Sequence, residues 1–346
     1  MKILILWSGL SDYSVSCYKE LSIREGVELH LVYQPVKSSA PFKPFDLSFC
    51  RSATVDTQSD KKELIAKCVA IEPDAIVMAS WNYPHYMEIS KLCKAKGTYV
   101  LSTFDGQWLG TMKQRIGIAT SKFFLKPSID NFLVPGDRQS HFARLLGYHN
   151  PLNGLYCANT SRFKEIANDR PKKFLFIGRL VEIKGVKELL AAYAIYRKSS
   201  PQPWDLIVAG VGPLKSYFEN QPGVELRGFV QPNELPSLFD EATCFVLPSL
   251  KEPWGLVVHE AAIAGLVIIC SHKVGASTWF VRDGQNGHLI NPDTNSIANA
   301  LKHISKQSPE RIKEMGRVSR SLGELWTIEK WADYLLDNLS GQISSV

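Results

Sequence analysis

The sequence predicts an α/β protein built from two doubly wound parallel sheets, and three observations carry that expectation. Short apolar runs alternate with helix-like segments along the chain. The alternation breaks once, at the polar, turn-rich stretch NPLNGLYCANTSRFKEIANDRPKK (150–173), and then starts again. The length, 346 residues, suits two domains of ordinary size.

In the first half, KILILW (2–7), VELHLVY (27–33), DAIVMAS (74–80), GTYVLST (97–103) and DNFLVP (130–135) read as buried strands. KKELIAKCVAIE (61–72) and YMEISKLCKAKG (86–97) read as helices between them. In the second half the strands are KKFLFIG (172–178), WDLIVAG (204–210), VELRGF (224–229), CFVLPS (244–249) and LVIICSH (266–272). The interleaved helices are GVKELLAAYAIYRK (185–198), NELPSLFDEA (233–242) and WGLVVHEAAIAG (254–265), with a pair at about 294–308 and 309–320 and then EKWADYLLDNL (329–339). Such alternation implies right-handed crossovers and sheets covered on both faces. Two facing domains of this kind are expected to bind ligands in the cleft between the carboxyl ends of their strands.

Composition narrows the class. Hydrophobic content of 45% and charged content of 21% are those of a globular protein. No apolar run reaches the roughly 18–20 residues that span a bilayer. The opening MKILILWSGLSDY reads as a first strand and turn, not a signal peptide. Seven scattered cysteines without a CxxC pair argue for reduced thiols in a cytosol, and eight histidines without metal-ligand spacing argue against a metal site. The net charge of +6 suits phosphates or anionic lipid. It is dispersed, with no stacking-aromatic motif, so nucleic acid is not an expected partner.

Three stretches of the second half carry chemistry. In FIGRLVEIKG (176–185) a strand ends at Gly178, and Arg179 and Lys184 flank the turn before a helix. Two cations at a strand's carboxyl end suit a diphosphate, Arg through its planar fork and Lys as a point charge. The same residues also suit a solvated loop. In VAGVGPLKSYF (208–218), Gly210 and Gly212 would let backbone approach a ligand, although a lone GxG is more often a tight turn. The third stretch is LPSLKEPWGLVVHEAAIAG (247–265). Pro248 and Pro253 hold Glu252 on a loop, and Gly255 opens a helix whose first turn, read from about 255, contains no acid and so favours an external anion. Glu252 and Glu260 would repel a phosphate but accept hydrogen bonds from sugar hydroxyls. One would take the diol of a ribose and the other that of a hexose. The ligand described is a nucleotide-sugar.

The order of GRLVEIKG (178–185), AGVGP (209–213), the GFV turn (228–230), LPSLKEPWGLVVHEAAIAG and VRDGQNGHLINP (281–292) resembles the C-terminal domain of retaining GT-B glycosyltransferases, in particular glycosyltransferase family 4, the glycosyl transferases group 1. The resemblance is strong over about 170–292, weaker over VPGDRQSHFARLLG (134–147) and thin over the first 130 residues. It implies an N-terminal acceptor-side domain at 1–158, a nucleotide-sugar domain at 159–325 and a C-terminal helix at 326–346 packing back on the first domain. It also implies that Arg179 and Lys184 hold the donor diphosphate, that Glu252 binds donor-sugar hydroxyls and Glu260 the ribose diol. The amides of Trp254, Gly255, Leu256 and Val257 would meet sugar and phosphate, and main chain near Val230 the base. Gly178 and Gly210 would line the donor site, with a UDP- or GDP-linked sugar as substrate and no metal or cofactor.

The chain departs from the family pattern in two places. WSGLSDY (7–13) retains only Gly9 of a glycine-rich loop, and Asp105 stands where relatives often carry a histidine. Asp105 could receive a sugar hydroxyl or cap the next helix. Trp254, where smaller or aromatic residues are usual, would shape the sugar pocket.

On the acceptor side, a helical wheel of GTMKQRIGIATSKFFLKPS (110–128) puts Arg115, Lys122 and Lys126 within roughly 40° of one another. Met112, Ile116 and Phe123 lie to one side, Ile118 and Leu125 to the other. The stretch 111–126 suits either an anionic membrane surface or a half-buried helix with snorkelling lysines. The segment 37–51 could border an acceptor cleft or be a plain loop. By analogy with relatives the expected acceptor is a glycan or a lipid-linked one, as in surface polysaccharide or lipopolysaccharide assembly, at the inner face of a cytoplasmic membrane. A sugar-nucleotide epimerase and a non-catalytic scaffold subunit are the competing readings.

Overall fold

The computed structural model describes residues 1–35, 42–57, 59–163 and 170–343. Residues 37–41 of the suggested cleft border and 164–169 of the turn-rich stretch lie outside these. The chain divides into two compact units, Met1–Cys157 with Ile328–Val346, and Ala158–Thr327.

Unit 1 runs β1 (Lys2–Trp7), α1 (Asp12–Ser22), β2 (Glu28–Tyr33), β3 (Ser52–Val55), α2 (Lys61–Ala70), β4 (Ala75–Met78), α3 (Pro84–Lys94), β5 (Tyr99–Thr103), α4 (Met112–Phe124), β6 (Asn131–Val134), α5 (Asp137–Leu145) and β7 (Leu152–Asn153). Among the described residues its strands form a parallel sheet ordered β3-β2-β1-β4-β5-β6-β7. β1 sits between β2 and β4, with Ile3 opposite Leu29 and Ala75. Ile3 to Leu6 are fully buried, which is why this strand reads as an unbroken apolar run.

Unit 2 runs β8 (Lys173–Ile177), α6 (Val186–Ser199), β9 (Asp205–Ala209), β10 (Val224–Gly228), α7 (Leu235–Asp240), β11 (Cys244–Leu247), α8 (Val257–Ile263), β12 (Val267–Ser271), α9 (Ser277–Phe280), β13 (Gly287–Ile290), α10 (Thr294–Ser305) and α11 (Pro309–Gly323). Its sheet is ordered β10-β9-β8-β11-β12-β13, again parallel among the described residues. The final helix, α12 (Ile328–Ile343), packs on α1 as part of unit 1.

Both sheets reverse direction beside their first strand: β1 leads to β2 on one side and has β4 on the other, and β8 likewise lies between β9 and β11. Crevices outside the carboxyl ends of strands form at such reversals. They fall after Trp7 and Met78 in unit 1, and after Ile177 and Leu247 in unit 2.

Candidate functional site

In unit 2 the site is assembled by loops zipped together through main chain. The Gly178 N–H donates to Ala209 C=O at 3.0 Å, Leu180 N–H to Val211 C=O at 2.9 Å, and Gly210 N–H to Gly228 C=O at 2.6 Å. A Cβ on Gly210 would lie 1.8 Å from the Gly178 carbonyl oxygen, and one on Gly212 2.4 Å from that of Leu180. Glycine at these two positions is thus required by the closeness of the neighbouring loop, as the tight-turn reading has it. Arg179 projects from this zipped turn. It is exposed, and its guanidinium has no hydrogen bond or ion pair among the described residues.

A short 3-10 turn, Glu182–Lys184, carries the chain to Gly185, which is left-handed at φ 69°. A Cβ there would lie 2.1 Å from the Pro248 carbonyl oxygen, so only glycine lets the turn rest on the end of β11. Leu250 N–H and Lys251 N–H both donate to Ile183 C=O, at 2.9 and 3.2 Å. The result brings Lys184 Nζ onto Glu252 Oε2, an ion pair whose side chains are only 15% and 12% exposed. Glu252 is fixed from behind as well: it bridges Val274, and its carbonyl accepts from Gly275 N–H at 3.1 Å.

The helix after Glu252 differs from the expected one. α8 begins at Val257, because Gly255 is left-handed (φ 89°) and Leu256 is a turn. Glu260 consequently falls within the opening turn, half-buried, and the expectation of an acid-free turn is corrected. The N–H groups of Val258, His259 and Glu260 donate to the carbonyls of Gly255 and Leu256. Trp254 is also corrected as a pocket wall. Its ring is 3% exposed, edge-on to Trp279 at 5.5 Å and near Phe280 at 6.5 Å, and so belongs to the core beneath the loop. Val230 lies in the loop after β10, half-buried.

His259, adjacent to Glu260, escaped the sequence reading. It is fully buried and stacked on Phe280 at 4.2 Å. Its Nδ1 accepts from Ala158 N–H at 3.1 Å, which leaves Nε2–H to donate to the Gly323 carbonyl at 2.9 Å. Burial lowers its pKa to about 4, so the ring is neutral. It ties α8 to both ends of unit 2, and a lone histidine in a mostly apolar helix gives no sequence signal for that.

In unit 1 a cavity of about 380 Å³ opens at the carboxyl ends of β1, β4 and β5. It is lined by Trp7, Gly9, Tyr13, Trp81, Asp105 and Tyr156 among others. Asp105 is exposed and its carbonyl accepts from Gln139 Nε2 at 3.0 Å. It does not cap α4, a role that Thr111 takes by accepting from Gln114 N–H. Tyr13 meets Tyr156 edge-on at 5.4 Å, and burial of its hydroxyl pushes its pKa up to about 12. Behind Trp7 the buried Asp56 carboxylate joins His85 Nε2 at 2.9 Å and the Tyr86 hydroxyl at 3.1 Å; that hydroxyl also reaches the Trp7 carbonyl at 3.3 Å. The aromatic lining was missed in the sequence, although WNY (81–83) directly follows a strand. Among the described residues no group of three or more His, Cys, Asp or Glu side chains could hold a metal ion.

Two doubly wound Rossmann-like units in one chain define the GT-B class of fold. Residues 158–320 match the family described as glycosyl transferases group 1. The chain is 34% identical over 137 residues to an uncharacterized glycosyltransferase of Methanocaldococcus jannaschii, covering 36% of this chain and 34% of that protein. It is 31% identical over 158 residues to a glycogen synthase of Mycobacterium tuberculosis, covering 43% and 37%. The matches thus span about a third to a half of these curated relatives. Among solved structures, the sucrose-phosphate synthase from Thermosynechococcus elongatus superposes with a TM-score of 0.75 at 18% identity over 100% of both chains. Anabaena HepE in complex with UDP and glucose gives 0.73 at 15% identity over 99% of this chain and 100% of that one. At these identities the likeness to solved structures is one of fold.

Proposed function

We propose that this protein is a glycosyltransferase that moves a sugar from a nucleoside-diphosphate sugar to a hydroxyl of a glycan or glycolipid acceptor, with retention at the anomeric carbon and without a metal. The observation that carries the reading is the Lys184–Glu252 pair held beside the exposed Arg179 chain turn, at the carboxyl ends of β8 and β11. The glycogen synthase relative and the UDP and glucose in HepE are consistent with such a donor.

Without ligand, Lys184 and Glu252 neutralise each other. A donor exchanges that pairing for two others, phosphate on Lys184 and sugar hydroxyls on Glu252, so neither buried charge is left alone. Arg179 adds a second cation to the diphosphate. As the bond from the anomeric carbon to the phosphate oxygen breaks, negative charge grows on the leaving diphosphate, and fixed cations lower the cost. The leaving oxygen takes the acceptor's proton, and no protein nucleophile is invoked. Glu260 receives the ribose diol. In unit 1 the aromatic cavity offers ring faces to a sugar, and Asp105 an acceptor for its hydroxyl.

Calorimetry with UDP, GDP, ADP and CMP in chelator-containing buffer tests the proposal. Micromolar binding of one diphosphate, lost in Arg179→Ala, is expected. Absence of binding to all four would overturn the donor-site reading.

A further inference from the structure

We propose that α4 is a lipid-docking surface that lays unit 1 on an anionic bilayer. The structure separates the two apolar sides of this helix. Gln114, Ile118, Ser121 and Leu125 face inward: Ser121 and Leu125 are buried, Ile118 packs against the core, and Ser121 Oγ donates to the Leu146 carbonyl at 3.1 Å. On a wheel at about 100° per residue, Met112, Ile116, Ala119 and Phe123 fall diametrically opposite that line. Met112 is 71%, Ile116 60% and Phe123 75% exposed, and Leu109 and Phe124 beside them 60% and 58%. Five of the fifteen large apolar side chains exposed among the described residues thus lie within 109–124, which marks a patch and not scattered exposure.

The charge on this face selects the occupant. Residues 106–129 contain no Asp or Glu, and they carry Lys113, Arg115, Lys122 and Lys126. None of the four has a carboxylate partner among the described residues; Arg115 Nε donates to the Gly110 carbonyl at 3.1 Å, and Lys126 lies 3.8 Å from the centre of the Tyr148 ring. An apolar ridge flanked by bases matches acyl chains below and anionic headgroups around. A second copy of the same face would set bases against bases, which disfavours self-association. The surface is independent of the donor site.

The test is co-sedimentation of the full chain, without nucleotide, with vesicles of phosphatidylglycerol and phosphatidylcholine and with phosphatidylcholine alone. The expected result is binding to the anionic vesicles that weakens with salt, and falls about tenfold or more in the Ile116→Ser, Phe123→Ser double variant. That variant should keep the wild-type unfolding temperature and nucleotide binding, since both side chains are exposed. Lys122→Gln with Arg115→Gln should weaken both the binding and its salt dependence, since two of the four bases are removed. Wild-type protein that stays in solution, or equal binding by the double variant, would overturn the proposal. So would a concentration-dependent dimer that the double variant abolishes.

Discussion

Lys184 and Arg179 carry the same charge on one loop, yet their surroundings differ enough to give different phenotypes. Lys184→Ala leaves the Glu252 carboxylate, 12% exposed, without its cation. That should lower stability by about 3 kcal/mol as well as weaken diphosphate binding. Arg179→Ala removes an exposed side chain with no partner among the described residues, so nucleotide affinity alone should fall, by about tenfold or more. Urea unfolding beside calorimetry separates the two. Gly185→Ala is expected to cost about 1–3 kcal/mol, since the methyl group meets the Pro248 carbonyl and the left-handed backbone is strained. His259 gives a pH signature. Its folded pKa, about 4, lies below the unfolded value of 6.5. The unfolded chain therefore binds a proton that the folded chain refuses, and stability is full above about pH 6.5 and falls between there and about pH 4. The loss is on the order of 3 kcal/mol, read from unfolding midpoints across that range, and His259→Gln should flatten it.

At the level of elements, legibility followed burial. Central strands such as β1, β4, β8, β11 and β12 stand out in the sequence because both faces are covered and all but at most a terminal residue of each run are apolar. The edge strands β3 and β13 were missed: SATV and GHLI are short and partly exposed, so no apolar run marks them. α1 was missed for another reason. Its buried line is Ser14, Cys17, Tyr18 and Leu21, spaced as a helix stripe but with a serine in it and a single aliphatic residue. α12 is the element with the clearest mutational prediction. Trp331 is 3% exposed, and its Nε1 donates to the Leu155 carbonyl at 3.2 Å, beside the buried Leu335 and Leu339. Trp331→Ala should destabilise unit 1 by about 3–5 kcal/mol, visible as a lower-temperature calorimetric transition.

For the whole molecule, two compact units predict separable responses. A saturating diphosphate at a hundred times its Kd should raise the unfolding free energy of unit 2 by about 2.7 kcal/mol and leave the unit 1 transition in place. By itself the sequence determined the strand–helix alternation and the parallel sheets, because burial on both faces is written locally. It could not determine which side of α4 is buried, since two apolar flanks look alike until one finds a core. Nor could it show that Lys184 meets Glu252, that Gly210 serves a neighbouring loop, that Trp254 turns inward or that His259 stays neutral. Each of these depends on contacts between residues far apart in sequence, and only the packed chain brings them within reach.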